Sequence, residues 1–241
     1  TTIGVFGREN QANFLTHNND LPSYHEGAVT VLKIKYPNSD LILLQQTFAG
    51  QIGQNGVNSY GVAVGINTII DMPVSNKGIP VSFNVRKIME SKNITESLEY
   101  LKKVDFGTSM NYLIADRETA IAVETWEDNI EAIDNKKQHF IAHTNHTLQE
   151  NAPVIYEIDK DLNDSSFGHT HRRLNLANEI LEDSAYNIDF EGLKELKSTP
   201  PILNGSTIMG TIISIPKEGF PVLWTTPGSP NLFGHVKFTF D

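Results

Sequence analysis

Strand-like and helix-like segments alternate in blocks along this 241-residue sequence, and the order of the blocks leaves few possible folds. The first seventy residues are nearly all β-rich runs separated by short turns, and two helix-like segments follow them. A second β block, a second helical pair and a last β block complete the chain. Strands joined by hairpin-length turns pair antiparallel, whereas parallel strands need long crossovers. The order therefore predicts an α+β fold in which two mainly antiparallel sheets face each other, with helices outside.

The individual elements are predicted from periodicity and from turn residues. The strands are predicted in TTIGVFG, NFLTHNND, AVTVLKIKY, LILLQQTFA and YGVAVGINTII of the first block, in MNYLIADRE, TAIAVETWE, NIEAID and HFIAHTN of the second, and in STIMGTIISIP, FPVLWTT and HVKFTFD of the last. The helices are predicted in IPVSFNVRKIMES, ITESLEYLKKV, THRRLNLANEILED and FEGLKELK. A short turn, GQNG, separates the fourth and fifth predicted strands of the first block.

Charge and composition exclude several classes of protein. With 19 Lys and Arg against 29 Asp and Glu, the net charge is −10, whereas non-specific nucleic-acid binding needs clustered cations. No apolar run approaches the ~20 residues that span a membrane. The sequence has no Cys, so it predicts no disulfide and no thiolate zinc site. The length and the lack of a linker predict one domain over residues 1–241, while the compartment and the oligomeric state, a homo-oligomer included, are left open.

Thr1 is the first candidate for chemistry. Two hydroxyl residues lead straight into a β-rich run, and an ordered terminus puts an α-amine and a hydroxyl in a fixed place. Such a hydroxyl can be activated by its own amine, whose ordinary pKa is near ~8, with no separate His base. The alternative is that Thr1 is merely where the given chain begins.

Three further segments offer polar side chains at strand ends. If the second strand returns beside the first, Asn18 and Asp20 of HNND come back to the N-terminus, where a carboxylate would hold the amine or polarise the nucleophile. The alternative is a plain Asn/Asp turn. Asn67 follows the apolar GVAV and Asn145 follows HFIA, and amides at the ends of buried strands are suited to donating hydrogen bonds to an oxyanion.

The histidines allow a competing interpretation. His143 and His146 could form a metal pair with a carboxylate, but a three-residue spacing on a strand puts them on opposite faces, so no metal is predicted. The segment HTHRR, residues 169–173, either opens a helix or supplies a cation to a substrate carboxylate.

Several segments together are similar to one known family. The matching stretches, in order, are GQNGVNSYGVAVGINTI (53–69), GIPVSFNVRKIMES (78–91), SMNYLIADRETAIAVE (109–124) and HTNHTL (143–148), with looser matches in HNND (17–20), RRL (172–174) and STIMGTII (206–213). The chain resembles the N-terminal-nucleophile (Ntn) amidohydrolases, in particular the acyl-coenzyme A:6-aminopenicillanate acyltransferase-like branch. Conjugated bile-acid hydrolases, penicillin V acylases and acid ceramidase are more distant relatives.

The resemblance implies a fold, an activity and a set of roles. The fold would be a four-layer αββα sandwich, with the nucleophile as the first residue of the mature chain, exposed by autocatalytic cleavage or by Met removal. Asp20 would contact its amine, and Asn67 and Asn145 would build the oxyanion hole or orient the substrate. The activity would be hydrolysis of, or acyl transfer from, a linear amide of a small molecule, without a cofactor.

Substrate-binding roles are carried over to His17, Asn18, Arg172 and Arg173. Relatives often have Arg or Gln at the position of His17, and the arginine that they place at a helix start matches either Arg172 or Arg173.

The larger departure is at the nucleophile, which is Cys in the family. Either Thr1 occupies the Cys position, or a catalytic Cys directly preceded Thr1. A hydroxyl is usually a weaker nucleophile than a thiol, which reaches its anion more easily near neutral pH. An inactive homologue that binds an acyl-amide ligand is therefore the alternative function.

Overall fold

The computed structural model describes residues 1–9, 11–133, 139–158 and 169–241, which form two β-sheets and four α-helices. The strands are β1 (Thr2–Val5), β2 (Asn13–Asp20), β3 (Val29–Lys35), β4 (Ile42–Phe48), β5 (Asn55–Asn58), β6 (Ala63–Thr68), β7 (Phe106–Ala115), β8 (Ala120–Glu127), β9 (Asn129–Ala132), β10 (Phe140–His143), β11 (Thr207–Ile215), β12 (Val222–Thr225) and β13 (Val236–Phe238). The helices are α1 (Val81–Ile88), α2 (Ile94–Leu101), α3 (Thr170–Ser184) and α4 (Phe190–Ser198). This order confirms the predicted blocks.

The strand pairing places β1 between two other strands of a sheet. Sheet I has the order β10-β1-β2-β11-β12-β13, and sheet II has the order β3-β4-β5-β6-β7-β8-β9. All the paired strands within the described residues are antiparallel. Thr2 lies opposite His143 of β10 on one side and His17 of β2 on the other. The hairpin return of β2 beside β1 is thus confirmed, and it carries residues 17–20 to the chain start.

Three apolar clusters separate four layers. Leu15, Leu113 and Ile213 belong to the cluster between the two sheets. Val85 of α1 and Leu101 of α2 pack with Tyr112 on the outer face of sheet II. Ile3, Leu181 and Leu193 belong to the cluster that α3 and α4 form on the outer face of sheet I. The apolar residues of β1, Ile3 and Val5, face α3 and α4, whereas those of β11 face both sides, with Ile212 toward the helices and Ile213 toward sheet II. The predicted αββα sandwich is confirmed.

Two of the helices begin at side-chain caps. The Asn93 side chain accepts a hydrogen bond from Glu96 N at 3.0 Å at the start of α2. The Asp189 side chain accepts one from Gly192 N at 2.9 Å at the start of α4. Such caps satisfy backbone donors that the first turn of a helix leaves unpaired, so these helix starts are set locally.

Strand β5 is the element that sequence analysis misses. Its sequence, NGVN, begins within the predicted GQNG turn, yet all four residues are buried between β4 and β6. Asn55 Nδ2 donates to Gln46 Oε1 at 2.9 Å, and Asn58 Nδ2 donates to Met89 O at 2.9 Å. Tertiary hydrogen bonds of these buried amides therefore override a turn-like composition.

Gly65 of β6 marks a close approach of the two sheets. A Cβ atom at this position would lie 2.6 Å from Thr2 Cγ2 and 3.0 Å from Leu15 Cδ2. Only Gly leaves room for β1 and β2 here, so the residue after Thr1 is pressed directly against sheet II.

Among the described helices, none combines the length and apolar character needed to cross a bilayer. That residues 1–241 make up one domain stays a prediction.

Candidate active site

The α-amine of Thr1 is buried just before the first residue of β1, between β10 and β2. Its nitrogen donates to Asn18 O at 3.2 Å and lies 3.9 Å from Asp20 Oδ2. Asn18 N donates to Thr1 O at 2.9 Å, which continues the β1–β2 ladder to the first residue. The side chain of Thr1 is 1% exposed. Sheet pairing therefore holds the chain start in one geometry.

Asp20, at the end of β2, is the anion of this site. Thr207 Oγ1 donates to Asp20 Oδ1 at 2.5 Å, and Arg173 Nη1 lies 3.5 Å from Asp20 Oδ2. The side chain remains 18% exposed. The carboxylate thus faces both the amine and a guanidinium while keeping contact with solvent.

Arg173 of α3 joins three predicted site residues. Its Nη1 donates to Thr1 Oγ1 at 2.9 Å, and its Nη2 donates to Asn145 Oδ1 at 2.7 Å. Arg173 is 2% exposed, whereas its neighbour Arg172 is exposed. The helical rotation between adjacent residues therefore resolves the register that the sequence left open, and Arg173 is the arginine that reaches the site.

Burial controls the protonation of this amine. It lowers the pKa of the Thr1 amine from 8.0 to about 5, an effect that the Asp20 carboxylate opposes and the Arg173 cation reinforces. The amine is consequently neutral near pH 7 and able to accept a proton. Burial also lowers the pKa of Arg173, which Asp20 again opposes; a guanidinium nevertheless stays charged in proteins.

Asn67 and Asn145 approach the cavity from different sheets. Asn67 Oδ1 accepts from Thr2 Oγ1 and, at 3.2 Å, from Asn111 Nδ2. These two donors hold the oxygen of the Asn67 carboxamide, so its NH2 group points away from them. Asn145 Nδ2 donates to Thr68 O at 2.9 Å, and its oxygen is the acceptor for Arg173. Both amides are therefore held in defined orientations.

One cavity of about 100 Å³ brings most of the predicted residues together. Its wall includes Thr1, His17, Asn18, Asp20, Asn67 and Asn145. Ile66 and Met110 add apolar surface. Arg173 contacts the wall residues from the helix layer, and Arg172 lies outside this group. The predicted roles themselves stay predictions.

His17 and Asn18, both predicted to bind substrate, line the cavity and also make contacts within the protein. Burial holds the pKa of His17 well below its ordinary value, so the ring is neutral, with Nδ1 3.4 Å from Thr2 Oγ1. Asn18 Nδ2 donates to Lys197 O at 2.9 Å and to Ile202 O at 3.3 Å, on the helix side of sheet I. What Asn18 presents to the amine is its backbone carbonyl.

The two histidines of HTNHTL have separate partners. His143 Nε2 lies 2.7 Å from Glu124 Oε1, and His146 Nδ1 lies 2.9 Å from Thr170 Oγ1. Within residues 1–9, 11–133, 139–158 and 169–241, no three His, Asp or Glu side chains are grouped so that they could hold a metal ion.

Several polar residues of the site escape sequence analysis. Predicted site residues are contacted by Thr2, Asn111 and Thr207. Each of the three lies in or at the start of an ordinary strand and is part of no recognisable motif. Lys197 of α4 is 2% exposed, and its Nζ donates to Thr211 O at 2.9 Å. Burial pushes the pKa of Lys197 well below its ordinary value. A lysine on a helix predicts solvent exposure, so only the packing shows this one to be buried.

The αββα sandwich, with the Thr1 nitrogen and hydroxyl buried beside a carboxylate, an arginine and two amides, has the architecture of the Ntn-hydrolase fold. Three solved structures are similar in fold. The Caenorhabditis elegans N-acylethanolamine-hydrolyzing acid amidase ortholog is 16% identical, with a TM-score of 0.66 over 100% of this chain and 99% of that one. Penicillin V acylase from Agrobacterium tumefaciens is 13% identical, with a TM-score of 0.61 over 100% and 86%. A variant of conjugated bile acid hydrolase from Clostridium perfringens is 14% identical, with a TM-score of 0.60 over 99% and 96%.

The family follows from the sequence match. The profile of the family described as acyl-coenzyme A:6-aminopenicillanic acid acyl-transferase matches residues 7–227, and the chain belongs to this family. Its reaction class is accordingly amide hydrolysis or acyl transfer. No curated protein matches the chain significantly.

Proposed function

We propose that this protein cleaves a linear amide of a small molecule with Thr1 as the nucleophile and passes the acyl group to water or to a second acceptor. One observation carries the proposal: the amine and the hydroxyl of Thr1 are both held at the cavity, the first by Asn18 and Asp20 and the second by Arg173. Nucleophile and base thus belong to one residue.

In the first step, the Thr1 amine takes the proton of Oγ1 while that oxygen attacks the substrate carbonyl. The amine can do so near neutral pH because its pKa is lowered to about 5. The guanidinium of Arg173, 2.9 Å from Oγ1, stabilises the negative charge that develops on the hydroxyl oxygen.

The negative charge then moves to the substrate oxygen. Asn67 lines the cavity with its oxygen already occupied by Thr2 and Asn111, so its NH2 group is the donor for this oxyanion. Asn145 orients the substrate beside it. Pre-placed donors of this kind need no reorganisation during the reaction.

Collapse of the tetrahedral intermediate breaks the C–N bond. The protonated Thr1 amine gives its proton to the leaving nitrogen, and an ester remains on Oγ1. Water or another acceptor attacks this ester while the amine removes the proton of the attacking group. The bond from the acyl carbon to Oγ1 then breaks, the amine returns the proton to Oγ1, and the acyl product leaves with the Thr1 hydroxyl restored. Every proton transfer is carried by one amine, and no cofactor takes part.

Thr1 combines the two groups that the proposed reaction needs: its hydroxyl accepts from Arg173, and its nitrogen faces Asp20. The other assignment, a Cys directly ahead of Thr1, would use the thiol and the amine of that Cys. The hydroxyl in place of the family thiol instead favours the second candidate, an inactive homologue that binds an acyl amide.

Intact-mass measurement and acyl trapping distinguish these candidates. The purified protein is treated with p-nitrophenyl octanoate and digested, and turnover is followed on octanoyl p-nitroanilide, an N-acylethanolamine, a conjugated bile acid and penicillin V. We expect an octanoyl adduct on Thr1, turnover of at least one amide, and loss of both in Thr1→Ala but not in Thr1→Ser. A folded protein without adduct or turnover contradicts the proposal and supports the ligand-binding homologue. An adduct on a Cys ahead of Thr1 contradicts the assignment of the nucleophile.

A further inference from the structure

A buried pair of titratable side chains joins the two sheets beside the site. Glu124 is on β8 of sheet II and His143 is on β10 of sheet I, and both side chains are 0% exposed. His143 Nε2 lies 2.7 Å from Glu124 Oε1. Asn111 pairs with Glu124 on one side and Asn67 on the other, and His143 pairs with Thr2. Asn67, Asn111 and Glu124 therefore form a row of paired polar residues across sheet II, and His143 extends this row to sheet I.

The hydrogen bonds of this pair fix its proton count. His143 Nδ1 lies 2.9 Å from Thr144 O, and a carbonyl oxygen only accepts, so Nδ1 carries a proton. Glu124 Oε1 accepts from Leu148 N at 2.7 Å, and Oε2 accepts from Thr147 Oγ1 at 2.5 Å. The contact between Nε2 and Oε1 then requires one shared proton, either on the imidazole or on the carboxyl.

Glu124 consequently forms hydrogen bonds with both ends of the short segment 143–148. His143 is at the start of residues 143–148, and Thr147 and Leu148 are at its end. Asn145 is between these anchors, with Nδ2 on Thr68 and Oδ1 on Arg173. Its backbone is held by Ile70 N at 3.0 Å and by Thr170 Oγ1 at 2.8 Å. A loop held at both ends by hydrogen bonds to one buried carboxyl group has little freedom to shift.

We propose that Glu124 and His143 are positioning residues, which share one proton between the sheets and hold the 143–148 segment so that Asn145 keeps its place in the cavity. This inference rests on the proposed function, in which Asn145 orients the substrate. Neither residue is among those that line the cavity, so both act through Asn145.

Glu124→Gln tests the pair with almost no change in shape. Glutamine offers one acceptor oxygen and one NH2 group, so it cannot receive Leu148 N and Thr147 Oγ1 and also share the His143 proton. We expect kcat on octanoyl p-nitroanilide to fall by about 10- to 100-fold, with KM changed by less than about threefold, as for a misplaced catalytic group. Thr147→Val should lower kcat in the same sense, and Thr147→Ser, which keeps the hydroxyl, should restore it.

A double-mutant cycle with Asn145→Ala separates this inference from the proposed function. If Glu124 acts through Asn145, Glu124→Gln should lower kcat little further once Asn145 is Ala. Losses that multiply in the double variant would overturn the inference. Unchanged turnover in Asn145→Ala alone would instead contradict the proposed function.

A proton resonance provides a measurement that does not depend on turnover. The shared proton should give a strongly downfield signal in protein with ¹⁵N-labelled His, assigned to His143 and slow to exchange because both groups are buried. Glu124→Gln should remove that signal while the protein stays folded. Its absence from the unmodified protein, or its persistence in Glu124→Gln, would refute the shared proton.

Discussion

The α-amine of Thr1 shows how one group acquires its reactivity from its surroundings. Burial disfavours its charged form, whereas Asp20 at 3.9 Å favours it. The outcome is a pKa of about 5 instead of 8.0, so the amine, which we propose as the base, is free of its proton at neutral pH while Asp20 stays beside it. A fully exposed amine would be largely protonated at pH 7 and unable to act.

The lowered pKa predicts the pH dependence of activity. Turnover should rise with pH through about 5, as the Thr1 amine loses its proton. Between pH 5 and 8 the unfolded chain holds a proton there that the folded chain lacks, so the stability contributed by this group also rises with pH in that window. Measuring kcat/KM from pH 3.5 to 8.5, with thermal unfolding at each pH, checks both. An acidic limb centred near pH 8 would show an unperturbed amine.

Asp20→Asn should nearly abolish activity. The amide removes the negative charge beside the Thr1 amine and leaves the buried guanidinium of Arg173 without its carboxylate. We expect kcat/KM to fall by about 100-fold or more, since aligned groups of this kind are worth several kcal/mol in the transition state. Asp183→Asn, at an exposed position of α3, is the matched control and should change neither activity nor stability. Wild-type rates in Asp20→Asn would refute the role of the carboxylate.

Among the elements, β1 is the one on which the site depends. It pairs with β10 and β2 on its two edges, and sheet II presses on it at Gly65. The strand is short, yet it is held at both edges and on both faces, since Ile3 and Val5 pack against α3 and α4. A small displacement of β1 would therefore move Thr1 and Thr2 and change their hydrogen bonds to Arg173 and Asn67.

Gly65→Ala tests this dependence. The added methyl group would collide with Thr2 Cγ2 at 2.6 Å, so β1 must shift. We expect a loss of about 1–3 kcal/mol in the free energy of unfolding, as for overpacked cores, and a fall in kcat even where the protein is fully folded. Gly205→Ala is the control, because nothing lies within 4 Å of a Cβ there. Equal behaviour of the two variants in urea unfolding and kinetics would contradict the close approach.

Helix α2, in contrast, contributes stability without touching the site. Asn93→Ala removes the cap on Glu96 N and should cost about 1 kcal/mol in the free energy of unfolding. The values of kcat and KM should stay unchanged. Glu99→Ala, on the exposed face of the same helix, should be neutral. A kinetic defect in Asn93→Ala would reveal a coupling between α2 and the cavity.

For the whole molecule, local patterns are enough to predict the order of elements apart from β5, and the antiparallel hairpin that returns Asp20 to Thr1. They fail where a contact depends on how two layers are stacked. The choice between Arg172 and Arg173 depends on which side of α3 meets sheet I. The Glu124–His143 pair joins strands of different sheets, and Lys197 is buried only because α4 packs over β11. Such pairings are set by tertiary register, which no local pattern contains.

The enclosed position of the Thr1 nitrogen also bears on how the protein has to be produced. The nitrogen faces Asn18 and Asp20 inside the sandwich, whereas Asp241 at the other terminus is exposed. On the proposed mechanism, a purification handle joined to this nitrogen would turn the base into an amide and take up part of the 100 Å³ cavity. A handle joined to Asp241 would leave both the amine and the cavity as they are.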